Sequence, residues 1–393
     1  MATTLGRSVS VLENTRPTVV GKAQSQITRV GVKPLGDRDK NVKVPVRRAN
    51  SLKQRKPSDK LLCKNVTDKA TTLSEAEGKK FKHGTSILPP FSKLSVKEES
   101  EPTSYSTLLL PLDVNDVDEH DKGHPQLCAQ YAKEIFNYLS KLELQYTIRA
   151  NFLAGKRDIT KEMRAILINW LVLVHTRFSL LQETLYLAVA ILDRYLQNNE
   201  VTRSKLQLVG VTSLYIACKY EEMYIPPVED FVHISDNAFS KTDLHKMEVV
   251  VLKALDFSFG RPLPLHFLRR VSKAGMVDAS VHSMAKYFME LTIIEYDMAH
   301  LRPSLIAAAA LWLSLYLQNA GKWTRDLAYY SKYTEKQITP VAGRMCRTIL
   351  AAGTTAHKAI YNKYKSPRFD SISTHPGLRS SEVKELAAQH GRS

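Results

Sequence analysis

Two charged residues stand where charge is costly. Arg164 interrupts the apolar run Met163-Arg-Ala-Ile-Leu-Ile-Asn-Trp-Leu171, and Asp193 stands inside Glu183-Thr-Leu-Tyr-Leu-Ala-Val-Ala-Ile-Leu-Asp-Arg-Tyr-Leu196. A lone ion in an apolar core is strongly unfavourable, so the economical expectation is a buried, hydrogen-bonded Arg164–Asp193 bridge. A second pair of charges flanks loops. Lys219 closes the run before Tyr224-Ile-Pro-Pro227, and Glu248 lies in Lys246-Met-Glu-Val-Val-Val251. A third group is cationic: Arg269 and Arg270 follow Pro262-Leu-Pro264, and His282 and Lys286 stand four apart on one helix face. If Arg269, His282 and Lys286 converge, charge-assisted hydrogen bonds make them a seat for phosphate. The alternative has Arg269 and Arg270 capping a helix C-terminus and the other two in solvent. Glu221 and Glu222 are adjacent and point in different directions on a helix, so they form no acid/base pair. No phosphate-cradling glycine loop, nucleophile elbow, His-Glu-x-x-His or Asp-Phe-Gly occurs. The chain reads as a binding protein rather than an enzyme, with no cofactor and no metal site.

Helices must carry these groups. Met163, Ile166, Leu167, Trp170, Leu171 and Val174 follow the i, i+3, i+4 rule of an amphipathic helix. The run after it is apolar almost all round and predicts a central helix. A third, 205–219, mixes bulky residues with Gly210, Ser213 and Ala217, which permit close helix approach. His124-Pro125 opens a predicted helix to about residue 144, with Tyr131, Ile135, Tyr138, Leu139 and Leu142 on one stripe. After the Gly260-Arg-Pro-Leu-Pro break come predicted helices at 267–271, 281–296, 303–318, 324–330 and 335–353.

At 393 residues and 44% apolar, the chain has ample material for a core. Its longest apolar run, 305–317, is too short to span a bilayer. No secretory signal opens it, and four scattered cysteines fit reduced thiols in the cytosol or nucleus. The net charge of +17 is uneven: residues 1–100 hold 21 Lys+Arg against 9 Asp+Glu, and the rest 35 against 30. Residues 1–95 lack helical or strand period and are expected to be a disordered basic leader. An acidic, leucine-containing linker follows at 96–122, where Leu108, Leu109, Leu110, Leu112 and Val114 suit either an export signal or a segment packed on the body.

The nonapeptide 163–171, Leu192-Asp-Arg194, Lys205-Leu-Gln-Leu-Val-Gly210, Lys219-Tyr-Glu-Glu222 and Gly260-Arg-Pro-Leu-Pro-Leu-His-Phe-Leu-Arg-Arg270 together resemble a cyclin of the B, or G2/mitotic-specific, type. The resemblance spans about 113–378. It implies an all-α fold: two tandem five-helix cyclin boxes behind an extra N-terminal helix and a long disordered leader. The implied division is 123–260 for the first box with its preceding helix, 261–360 for the second, and 361–393 for a partly ordered tail.

The resemblance implies a regulatory subunit that binds and activates a mitotic cyclin-dependent kinase as a heterodimer at the G2/M transition. Lys219 and Glu248, with Tyr131, Ile135 and Tyr138, match the kinase-binding positions. Met163, Ile166, Leu167, Trp170, Leu206 and Gln207 match a patch that docks Arg-x-Leu segments of substrates. Leu173 stands at the position of that patch's acid, and Asn169 replaces the usual Asp. Ubiquitin-ligase machinery is a further partner implied by the family, although no Arg-x-x-Leu or Lys-Glu-Asn box occurs in the leader. The nearest approach is Val32-Lys-Pro-Leu-Gly-Asp-Arg-Asp-Lys-Asn41. Shuttling between cytoplasm and nucleus is expected, with no membrane and no direct nucleic-acid partner. The alternative is a nucleic-acid-binding protein like the transcription initiation factors built from paired cyclin-like boxes. Such a protein calls for a basic stripe on the folded boxes, whereas most of the excess charge here lies in the leader.

Overall fold

The computed structural model describes residues 110–390. The expectations for the leader, its destruction-like segment and the leucines at 108 and 109 lie outside the described residues. The described part is all-α: thirteen α-helices and, among the described residues, no strand.

Three short 3-10 turns precede α1 (Ala132–Gln145). The helix expected from Pro125 therefore begins a full turn and more later. Cys128 in the left-handed region breaks the backbone there, and Tyr131 becomes the residue before the helix. Five helices form the first box: α2 (Lys161–Phe178), α3 (Gln182–Asn198), α4 (Leu206–Glu221), α5 (Val228–Ile234) and α6 (Lys241–Ala254). Thr160 caps α2 by accepting from the Met163 amide, and Ser240 with Asp243 forms a capping box on α6. α3 is buried on nearly every side, as its apolar composition requires. α4 crosses α2 at Gly210, where a Cβ would come within 2.7 Å of Leu167 Cδ1.

The second box comprises α7 (Pro264–Ala274), α8 (Ala279–Ile294), α9 (Pro303–Leu317), α10 (Arg325–Ser331) and α11 (Glu335–Ala352). Pro264 and Pro303 occupy first-turn positions, where a missing N–H is harmless. Most of the stretch expected to be a partly ordered tail, residues 361–390 among those described, is helical or in 3-10 turns and packs on the body. α12 (Ala359–Tyr364) buries Ile360 and Tyr364, and α13 (Ser381–Gln389) buries Val383 against α11. Gly343 admits α13, since a Cβ there would lie 2.8 Å from the Leu386 carbonyl oxygen.

Buried charge joins the boxes. Arg164 Nε and Nη2 donate to the two Asp193 oxygens, both at 2.6 Å, and Nη1 donates to the Ile294 carbonyl at 3.2 Å. One guanidinium thus ties α2 to α3 and to the last carbonyl of α8, where a cation also meets the negative end of the helix dipole. Glu290, fully buried on α8, accepts from Gln182 of the first box and from Lys363 and Tyr364 of α12.

Residues 113–121 lie on the second box as a strap. Arg270 makes a bidentate pair with Asp118 at 2.5 and 2.6 Å, and Lys273 bonds both Asp118 and Asp121. Burial opposes the charge on Asp118, but Arg270 and Lys273 outweigh it and hold its pKa below the usual range. Asn115 is bonded to Asp326 and Tyr330. This stretch of the acidic linker is packed on the body.

Candidate functional site

Three surfaces remain for partners. The first centres on Lys219, in the last turn of α4, and Glu248 on α6. They meet at 2.6 Å, with side chains 40% and 10% exposed. Lys219 Nζ also stands 4.4 Å from the centre of the Tyr215 ring. Burial alone would lower the Lys219 pKa, but the hydrogen bond and charge of Glu248 raise it above the ordinary value. The chain around this pair is apolar and exposed: Tyr220, Met223, Ile225, Val249 and Phe257 all face solvent. Tyr131, just before α1, and Ile135 and Tyr138 on it are exposed too, while Phe136 packs on Phe267 and Glu143 is buried against the N-terminus of α9. α1 therefore uses one side to hold the body, where Leu139 of the expected stripe also packs, and leaves Ile135 and Tyr138 bare. Tyr146, just past its end, is hydrogen-bonded to Ser258 beside Phe257, at 2.7 Å. Bare apolar area of this extent on a folded body marks a protein interface.

The second surface is the expected docking patch, and here the structure divides the candidates. Ile166 is exposed, and Met163 and Gln207 are half-buried. Leu167, Trp170 and Leu206 are core residues instead, at 0%, 5% and 4% exposure. α4 packs so closely at Gly210 that Leu167 is sealed beneath it. Gln207 Nε2 is buried without a partner, and Gln207 also lines a cleft of about 430 Å³ with Leu208, Phe239, Met247 and Val250. Asn169 faces elsewhere: its Oδ1 accepts from the Ala359 amide at 2.9 Å and fastens α12 to α2.

The third surface is cationic. Arg269 lies on the exposed side of α7, and His282 and Lys286 are half-buried on α8. Ser272 Oγ and His282 Nδ1 are hydrogen-bonded at 2.8 Å. Burial, then the charges of Lys286 and Arg269, lower the His282 pKa to about 4. Burial and Arg269 also lower that of Lys286, although Glu290 opposes this. Arg270 does not join the group. α7 continues past it to Ala274, so Arg269 and Arg270 cap no helix end, and Arg270 turns about 100° away to the Asp118 strap. Among the described residues, no cluster of side chains suits a metal ion.

A two-box helical body that leaves apolar helix surface bare is the architecture of a cyclin. The family model for the cyclin N-terminal domain matches residues 134–260, and that for the cyclin C-terminal domain matches 262–378. The G2/mitotic-specific cyclin-B of Patella vulgata is 53% identical over 288 residues, covering 73% of this chain and 70% of the relative. The G2/mitotic-specific cyclin-B2 of Bos taurus is 44% identical over 382 residues, 96% of each chain. Among solved structures, a viral cyclin from herpesvirus saimiri aligns with a TM-score of 0.48 at 22% identity, over 63% of this chain and all of the other. The chain belongs to the cyclin family. Within it, the chain is of the G2/mitotic-specific B type.

Proposed function

We propose that this protein is the activating subunit of a mitotic cyclin-dependent kinase, controlling entry into mitosis. The observation that carries the reading is the Lys219–Glu248 pair, half-open to solvent next to exposed apolar residues of α4 and α6, with further exposed apolar residues on α1. An active kinase needs its strand lysine paired with its C-helix glutamate and its activation segment held open. A surface complementary only to the swung-in C-helix shifts the kinase toward that state by its differential affinity. The apolar residues supply most of the attraction. Lys219 and Glu248 fix orientation, and their bonds strengthen as partner contact removes water.

Substrates are recruited at two further places. The α2–α4 patch holds an apolar residue of a docking segment on Met163, Ile166 and Gln207. Leu173 supplies no charge for an arginine there. The Arg269–His282–Lys286 group receives a phosphorylated segment of a substrate or regulator. His282 is neutral before binding and gains its proton as the phosphate arrives, so affinity rises on the acid side of neutrality. The near-balanced charge of residues 101–393 supports the kinase reading over nucleic-acid binding. Capture of the tagged chain from dividing cells should bring down histone kinase activity. Capture with no kinase activity above that of an empty tag overturns the reading.

A further inference from the structure

The most exposed cation of the phosphate seat is already occupied. Arg269 Nη2 donates to Glu183 Oε1, a carboxylate delivered from the first turn of α3 in the other box. The arginine side chain is 52% exposed and the glutamate 13%, so the carboxylate is the anchored partner and the guanidinium the accessible one. Glu183 Oε2 is buried and has no hydrogen-bond partner. Burial opposes ionisation of Glu183, but the charge and hydrogen bond of Arg269 hold its pKa below the usual carboxylate range. Lys286 lies within the field of the same carboxylate. Glu221 lies close enough that burial, Glu183 and Glu222 together push its own pKa up. A site built of cations therefore carries a carboxylate of its own, with a second behind it.

We infer that Glu183 is a built-in competitor for the seat, a carboxylate that an incoming anion must displace from Arg269 before it can bind. This rests on the phosphate-seat reading above. The consequence is selectivity. A ligand Asp or Glu merely exchanges one monoanion for another and leaves Glu183 buried and unpaired. A phosphate monoester brings nearly two charges and three acceptor oxygens, enough to engage Arg269, Lys286 and His282 together. The cost of freeing Arg269 from Glu183 falls on every anion, so only a ligand whose own contacts outweigh it binds measurably: a phosphate monoester clears that threshold and a single carboxylate does not.

The test titrates the full chain with three pentapeptides, Gly-Gly-X-Gly-Gly, where X is phosphoserine, glutamate or serine. Binding is followed through the NMR signals of the His282 ring, assigned with His282→Gln. Glu183→Gln should bind the phosphoserine peptide about tenfold more tightly than wild type and should gain measurable affinity for the glutamate peptide, which wild type does not hold. A wild type that ignores all three peptides, with a Glu183→Gln variant that binds phosphoserine, also supports the competitor. If wild type prefers phosphoserine and Glu183→Gln binds it no better or worse, Glu183 positions Arg269 instead. The inference then fails while the seat stands. If neither protein distinguishes phosphoserine from serine, the seat itself is refuted and the inference with it. Glu183→Ala is read the same way should Glu183→Gln fail to fold by thermal melting.

Discussion

Arg164–Asp193 and Lys219–Glu248 are the same kind of pair at the same 2.6 Å separation, yet they do opposite work. The first is 1% and 4% exposed, and the remaining guanidinium nitrogen is spent on Ile294. The second leaves Lys219 open to water, with an exposed apolar surround. Burial, rather than bond length, separates a joint that holds two boxes together from a surface pair that we propose meets a partner. A buried pair is costly to break because one stranded ion remains, whereas an exposed pair contributes little to stability.

That contrast sets the scale of the expected effects. Arg164→Ala leaves Asp193 charged in the core and should cost about 3–5 kcal/mol. A melting temperature within two degrees of wild type would mean that Asp193 reaches water and the joint is not sealed. Acid acts on a neighbouring buried group. Burial first, then the charge of Lys363, depresses the pKa of His175 from 6.5 to about 4. Between these values the unfolded chain binds more protons at this site, so stability falls as pH drops from 6.5 toward 4. His175 alone contributes a slope of up to about 1.4 kcal/mol per pH unit. His282 adds a slope of the same sign. Denaturation in urea across this range checks it, and a His175→Gln variant with an undiminished slope would refute the assignment.

The strap pair is intermediate. Asp118→Asn keeps the shape but removes the charge from a buried Arg270, so a loss of about 1–3 kcal/mol is expected by chemical denaturation. A loss near zero would show that Lys273 or water replaces the carboxylate. At the small end, Lys219→Ala with Glu248→Ala should change stability by no more than about 1 kcal/mol. A larger loss in the same denaturation experiment would make this pair a second joint and erase the contrast.

Long apolar stripes made most of the helices legible. α4 lies within two residues of the expected 205–219, and α2 extends two residues before and four beyond its 163–174 stripe. α12 and α13 are not legible in the sequence, being only six and nine residues long, too short to show a helical period. Arg164 and Asp193 drew notice because each interrupts an apolar run. Glu290 likewise interrupts an apolar run, 287–294, but its partner Lys363 lies 73 residues away; Arg270–Asp118 spans 152 residues and interrupts no such run, so no local signal announces it. Leu167, Trp170 and Leu206 show the limit of a motif carried over by position. It names a neighbourhood, but only packing distinguishes an exposed side chain from one that lies in the core beneath it. Glu183 was read only as the opening of an apolar helix, since its partner Arg269 lies 86 residues away.

The most direct test of the central claim is a titration of a purified, cyclin-free mitotic cyclin-dependent kinase with this protein, following phosphorylation of a short peptide that needs no docking patch. Wild type should activate the kinase saturably at a 1:1 ratio. The Lys219→Ala/Glu248→Ala variant, equally folded, should reach half-activation only at a roughly tenfold or higher concentration, as expected for loss of a desolvated charge contact. Coincident titration curves for the two proteins would contradict the account.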